Sequence, residues 1–210
     1  HGPYAPPAKY EAMFLDDEWA RDPARVPGGY ALGETKTPNK VLGAVPRYQQ
    51  RADREDRVAR YVARYDAEIR YVDDAFALIL ADLEGHEQAQ NAAIVFTSDH
   101  GESLGEHDYF FEHGWFAYDA TLRIPLFIRT PGQSAGRRRT DPVSILDLRP
   151  TLLGLARVED PDPGRGRDLF ADPKPPGTGV VIENADAYPH KAFGLRTSRW
   201  KYLRTDGSHE

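Results

Sequence analysis

Between positions 54 and 83, apolar or aromatic residues stand at 58, 62, 65, 69, 72, 76, 79, 80 and 83. This alternating three- and four-residue spacing predicts an amphipathic helix, and no other feature limits the fold as strongly. Gly85 follows the last apolar position and supplies a stop. Taken alone, the pattern also suits a coiled coil. A strongly apolar run over 92–97, Ala-Ala-Ile-Val-Phe-Thr, begins a short loop later and reads as a buried strand of a parallel sheet. A helix packed on a sheet is therefore expected. A second strand is expected over 124–130, with Pro125 at its start or edge and Pro131-Gly132 closing it.

The rest of the chain falls around this frame. Positions 1–50 read as a long loop with brief ordered pieces, because prolines 3, 6 and 7 stiffen its opening. Its Tyr4, Tyr10, Phe14 and Trp19 argue for packing against something. A helix is expected over 143–156, with Pro150 in its first turn after a short 143–147 segment. Proline, glycine and charge dominate 160–179, as in a linker. Short strands are expected at 180–182, 192–195 and 200–203 as a small antiparallel sheet. Arg137, Arg138 and Arg139 read as a solvated turn.

Composition removes several functions. With no cysteine there is no disulfide, thiolate metal site or cysteine nucleophile within these 210 residues. The net charge of -6 argues against nucleic acid as a partner held by bulk electrostatics, so any anion must be held locally. No apolar run approaches the ~18 residues of a membrane span. Neither a compartment nor an oligomeric state is read from the sequence.

Chemistry gathers where the first strand stops, in Thr97-Ser98-Asp99-His100-Gly101-Glu102. Ligands of open α/β sheets bind beyond the carboxyl ends of strands, and a carboxylate and an imidazole both ligate divalent cations. Gly101 is expected to turn the backbone sharply so that both side chains face one centre. An Asp-His pair alone is equally a capping aspartate beside a hydrogen-bonded histidine. His107 and His113 lie in the same loop and His1 opens the proline-stiffened one. Each could bind metal, donate to an anionic oxygen, protonate a leaving group or simply order its loop.

The run from Ala93 to Arg129, through Thr-Ser-Asp-His-Gly-Glu and Glu-His-Gly-Trp-Phe-Ala-Tyr-Asp, resembles the sulfatase family. So do the opening His-Gly-Pro-Tyr-Ala-Pro-Pro, the 65–83 helix, the 143–156 helix with Asp147, Pro150 and Thr151, and Arg196-Thr-Ser-Arg-Trp-Lys-Tyr. The resemblance implies an alkaline phosphatase-like three-layer α/β/α sandwich without its N-terminal strands, plus a small antiparallel C-terminal sheet. Residues 1–156 would be the C-terminal part of the catalytic domain, and 157–210 a linker and incomplete subdomain. It implies that Asp99 and His100 are metal ligands and that His1 and His113 hold oxygens of the transferred group as substrate-binding, catalytic residues. Glu102 would orient a ligand, His107 would order its loop, and Asp119 and Arg123 would anchor the next strand.

The implied cofactor is a divalent metal cation, calcium first. His100, where many sulfatases have asparagine, brings in manganese or zinc and moves the likeness toward phosphonate and phosphodiester hydrolases. The implied substrate is a small-molecule or glycan sulfate ester. The family's nucleophile, a formylglycine made in a Cys/Ser-x-Pro-x-Arg motif, is expected upstream with the partner aspartate of the metal site, since this chain has neither. Phosphonate or phosphate ester hydrolysis, or a non-catalytic fragment, are the alternatives.

Overall fold

The computed structural model describes residues 2–14, 45–49, 58–161, 164–171, 179–184, 191–205 and 208–209. These form two compact units. The first draws on His1–Gln90, His100–His113 and Ala120–Arg123; the second on Asn91–Asp99, Gly114–Asp119 and Ile124–Glu210.

In the first unit, helix α1 (Ala8–Phe14) packs on the long helix α2 (Val58–Glu84). The buried Arg64 guanidinium meets Glu11 at 2.8 Å, so a charge inside the contact is neutralised where it lies. Strands β2 (Ser103–Leu104) and β3 (Phe110–Glu112) add an antiparallel hairpin. Its Phe110 and Phe111 join Tyr4, Val45, Val58, Tyr61 and Val62 in one core. The helical periodicity is real, but only its first half is buried. From Val58 to Ala67 the apolar positions face this core, while Ile69 and Val72 are half exposed and Ile79 is 62% exposed. Positions 54–57, expected to begin the helix, lie outside the described residues. Among the described residues, no helix is long and apolar enough to cross a membrane.

The second unit holds β1 (Ile94–Thr97), β4 (Leu126–Arg129), α4 (Leu148–Ala156) and a sheet of β5 (Val180–Glu183), β6 (Ala192–Arg196), β7 (Lys201–Thr205) and β8 (Ser208–His209). The last three of the expected strand segments thus pair antiparallel in order, as expected. The parallel pairing expected for 92–97 is corrected. β1 pairs β4 antiparallel, Ile94 opposite Arg129 and Thr97 opposite Leu126, and its residues are only partly buried. The reason lies in the connection. A parallel return needs a packed crossover, usually a helix. Between β1 and β4 the chain has only the short hairpin and the one-turn α3 (Asp119–Leu122). Pro125 sits just before β4, where it costs no ladder bond, and its carbonyl accepts from Thr97 Oγ1 at 2.8 Å.

The 3-10 turn Ile145–Asp147 that leads into helix α4 starts through a capping box. Asp147 Oδ2 accepts from Ser144 N at 2.9 Å, and the Ser144 hydroxyl accepts from Leu146 N. Asp147 Oδ1 also accepts from Arg167 N at 3.0 Å, and Thr151 Oγ1 accepts from Leu169 N, which ties the 164–171 segment to the helix. Pro150 falls in the first turn, as its lack of an N–H requires. The basic run is not simply solvated: Arg139 forks onto Asp141 at 2.7 and 3.0 Å and donates to the Leu169 carbonyl.

That fork sets a pH dependence. The Arg139 hydrogen bonds, which outweigh burial, hold the Asp141 carboxyl at about 2, below its ordinary 3.8. A depressed folded value means the pair stabilises above the ordinary value and loses its effect as pH falls toward 2. Asp141→Asn should therefore unfold at lower denaturant than the parent near neutral pH. Denaturant titrations repeated down to about pH 2 should show this difference shrinking to nothing.

Candidate functional site

The loop after β1 carries most of the expected site residues. Asp99 lies two residues beyond the strand and is exposed; His100 follows and is half-buried. The expected role of Gly101 needs correcting. Its backbone has no left-handed turn. It donates to the Thr121 carbonyl at 2.8 Å, and a Cβ there would collide with the carbonyl of Ala120. Glycine is required by close approach rather than by a sharp bend.

His100 and His113 converge. Their rings stack at 3.7 Å between centroids with planes 21° apart. His113 Nδ1 donates to Glu102 Oε1 at 3.0 Å, and the Glu102 side chain is only 4% exposed. A carboxylate so buried needs a donor, and His113 supplies it. His100 Nδ1 lies 2.8 Å from the Gly101 carbonyl. A carbonyl can only accept, so Nδ1 is the donor of this bond.

The hairpin explains how His113 reaches Glu102. Leu104 opposes Phe110 and Ser103 opposes Glu112, so Phe111 is an extra residue in a β-bulge. Phe111 has φ 52°, a left-handed conformation in which glycine is usual. The strain, of order 1–3 kcal/mol, is offset by burial. Phe111 is fully buried, stacks on Tyr61 at 4.5 Å and meets Tyr4 edge-on at 5.9 Å. The amide of the buried Gln49 caps its carbonyl at 3.1 Å. The bulge bends the strand immediately before His113.

The remaining candidates separate. His107 is exposed with φ 59° inside a short 3-10 turn (Glu106–Asp108), and His1 lies outside the described residues. Asp119 accepts from Lys201 Nζ at 2.9 Å and Arg196 Nη1 at 3.0 Å. Burial pushes its carboxyl up, but these two cations outweigh that and hold it below its ordinary value. It thereby anchors the 114–119 segment to β6 and β7, with Lys201 also donating to the Ala117 carbonyl. Two residues that sequence reasoning left without a site role, Tyr4 and Tyr65, feel the charge of Glu102. Burial first, then the Glu102 charge, pushes both phenols up. Tyr4 stood in the quoted opening motif, but nothing in its spacing tied it to Glu102.

As a metal centre the donor set is partial. A carboxylate and an imidazole are both side chains that ligate divalent cations. Among the described residues, no group of three histidine or acidic side chains gathers to hold one.

The fold is of the alkaline phosphatase-like α/β class, with its antiparallel C-terminal sheet. The chain belongs to the sulfatase family, whose profile, described as Sulfatase, matches residues 1–158. Among curated relatives, it is 38% identical over 125 residues to the uncharacterized sulfatase YidJ of Escherichia coli (strain K12), covering 59% of this chain and 24% of that protein. It is 31% identical over 152 residues to an ulvan-active sulfatase of Formosa agariphila, covering 67% and 30%. The chain thus spans about a quarter to a third of these relatives' length. A solved structure titled BT4656 in complex with its substrate D-glucosamine-2-N,6-O-disulfate matches 73% of this chain and 33% of its own, with TM-score 0.58 and 27% identity. Phosphonate monoester hydrolase SpPMH from Silicibacter pomeroyi matches 100% of this chain and 46% of its own, with TM-score 0.77 and 22% identity, which is a likeness of fold alone.

The bulge yields a test free of any assumption about activity. Phe111→Ala should destabilise by about 3–5 kcal/mol through the cavity it leaves. Phe111→Gly should cost about 1 kcal/mol less than Phe111→Ala, because only glycine accepts the left-handed backbone without strain. Ordinary sites rank these two the other way, so denaturant unfolding of the pair decides the matter.

Proposed function

We propose that this chain supplies part of the active site of a sulfuric ester hydrolase. The observation that carries the reading is the His100–His113–Glu102 cluster, with its stacked rings and buried carboxylate, directly after Asp99. Asp99 and His100 Nε2 would hold a divalent cation, calcium first and manganese or zinc as alternatives, which would supply Lewis-acid polarisation of the ester. The rings, 3.7 Å apart, would divide the work: His100 would act as a ligand, and His113 would act as a donor beside Glu102.

From Nε2, His113 donates to an oxygen of the sulfate group and protonates the departing alcohol oxygen, so that it leaves as the alcohol rather than the alkoxide. His1 provides a second donor to the same group. The nucleophile would be a formylglycine outside these residues, since the chain has no cysteine and no Ser-x-Pro-x-Arg. The substrate would be a small-molecule or glycan sulfate ester. A second reading, phosphonate or phosphate ester hydrolysis, rests on His100, because an imidazole ligand suits the borderline metals better than calcium.

The test is turnover of an aryl sulfate, an aryl phosphate and an aryl phosphonate by the complete chain with calcium, manganese or zinc. The sulfate should be preferred, and Asp99→Ala should lower kcat/KM by at least about 100-fold. Preference for the phosphonate would hand the site to the second reading. The 210 residues alone should turn over none of the three, and Asp99-dependent activity from them would mean the nucleophile has been misplaced.

A further inference from the structure

Gln49 is fully buried, and its one amide reaches two distant stretches of the first unit. Its Nε2 donates to the Phe111 carbonyl at 3.1 Å, two positions before His113. The carbon, nitrogen and oxygen of the same amide lie against Gly2, the residue after His1. A Cβ on Gly2 would collide with all three atoms. Gly2 has no left-handed backbone, so it is the amide that requires glycine here. The segment carrying Gln49 is itself held, because Gln49 N donates to the Pro46 carbonyl at 2.9 Å and Val45 lies in the core.

An amide at the end of a flexible side chain could ordinarily swing clear of a new methyl group. This one is enclosed and bound to Phe111, so it can yield only by giving up that bond. Its Oε1 accepts no hydrogen bond among the described residues, and a buried acceptor left so is a net loss. A side chain kept only to fill this space would carry no such loss.

We infer that Gln49 is a positioning residue shared by His1 and His113: its amide seats the opening loop at Gly2 and, through the Phe111 carbonyl, the bulge that leads into His113. The inference rests on the roles proposed above for the two histidines. His1 enters it only as the chain neighbour of Gly2. A single buried group then sets two loops that lie about a hundred residues apart in sequence, and a push on one is felt by the other.

The experiment uses the complete chain with ring-15N histidine. It compares the parent with Gln49→Met, Gly2→Ala, Gln49→Ala and the Gly2→Ala/Gln49→Ala double variant. Val45→Ala, which truncates the same core but keeps both contacts, is the control. The His113 ring 15N shifts and steady-state hydrolysis of an aryl sulfate are followed, with thermal unfolding alongside. Gln49→Met should move the His113 signals and lower kcat about tenfold, while KM moves less than about twofold. Gly2→Ala should do the same from the other side of the amide. In the Gln49→Ala background the added methyl group has room, so Gly2→Ala should change kcat less than about twofold and leave the His113 signals in place. Val45→Ala should lower Tm and leave kcat within about twofold.

Unmoved His113 signals or unaltered kcat in folded Gln49→Met overturns the inference, since a packing role alone would register only in Tm. Additive effects of Gly2→Ala and Gln49→Ala on kcat overturn it as well, because the loop would then act without the amide. So does an equal fall in kcat in Val45→Ala, which would show a general loosening of the core. If Gly2→Ala does not fold, Gln49→Met decides alone. A parent that hydrolyses no sulfate ester sinks the functional reading instead, and the His113 signals across the same variants still decide whether Gln49 links the loop to the bulge.

Discussion

Phe111 occupies a backbone conformation that its side chain makes unfavourable, and the hairpin keeps that conformation because the same side chain is buried so well. Burying a phenylalanine contributes about 1.5–3 kcal/mol, which is comparable with the cost of a left-handed, non-glycine residue. The balance works only while Tyr61, Tyr4 and the Gln49 amide hold their places around it. Three separate stretches of sequence thus converge on one residue. The bulge they sustain sits two positions before His113, so the chemistry of the loop depends on the packing of the core beneath it.

Much of this was legible in the sequence because it follows from local rules. The three- and four-residue spacing gave α2, Pro150 marked the first turn of α4, and turn residues bounded the C-terminal strands. The family resemblance led to the expectation that His1 and His113 share the cleft of Asp99 and His100; the stacking of the His100 and His113 rings was not read from spacing, and His1 lies outside the described residues. What escaped was governed by contacts between distant residues. An apolar run such as 94–97 shows that a strand is buried or half-buried, but not which neighbour it pairs with or in which direction. A phenylalanine in a bulge position looks like any other core aromatic, and the packing of Tyr4 on Phe111 joins residues far apart in sequence.

The two units use carboxylates in contrasting ways. In the first, Glu102 is buried against a single histidine, where its effect is on the orientation of one ring. In the second, Asp119, Asp141 and Asp147 each answer to more than one donor and tie segments together: 114–119 to β6 and β7, Arg139 to Arg167, and the start of α4 to the 164–171 segment. Charge pairs of the second kind are partly exposed and individually weak. They act as a network that fixes backbone paths.

Gly101 illustrates how a packing requirement can pass for a catalytic signature. Because any side chain there would strike the Ala120 carbonyl, the glycine of the Asp-His-Gly-Glu string answers to steric exclusion, a demand separate from the chemistry proposed for Asp99 and His100. A selection for folded but inactive variants would release Asp99 and His100 to drift while still returning glycine at 101. The surviving glycine would then mark the old site long after its reaction was lost.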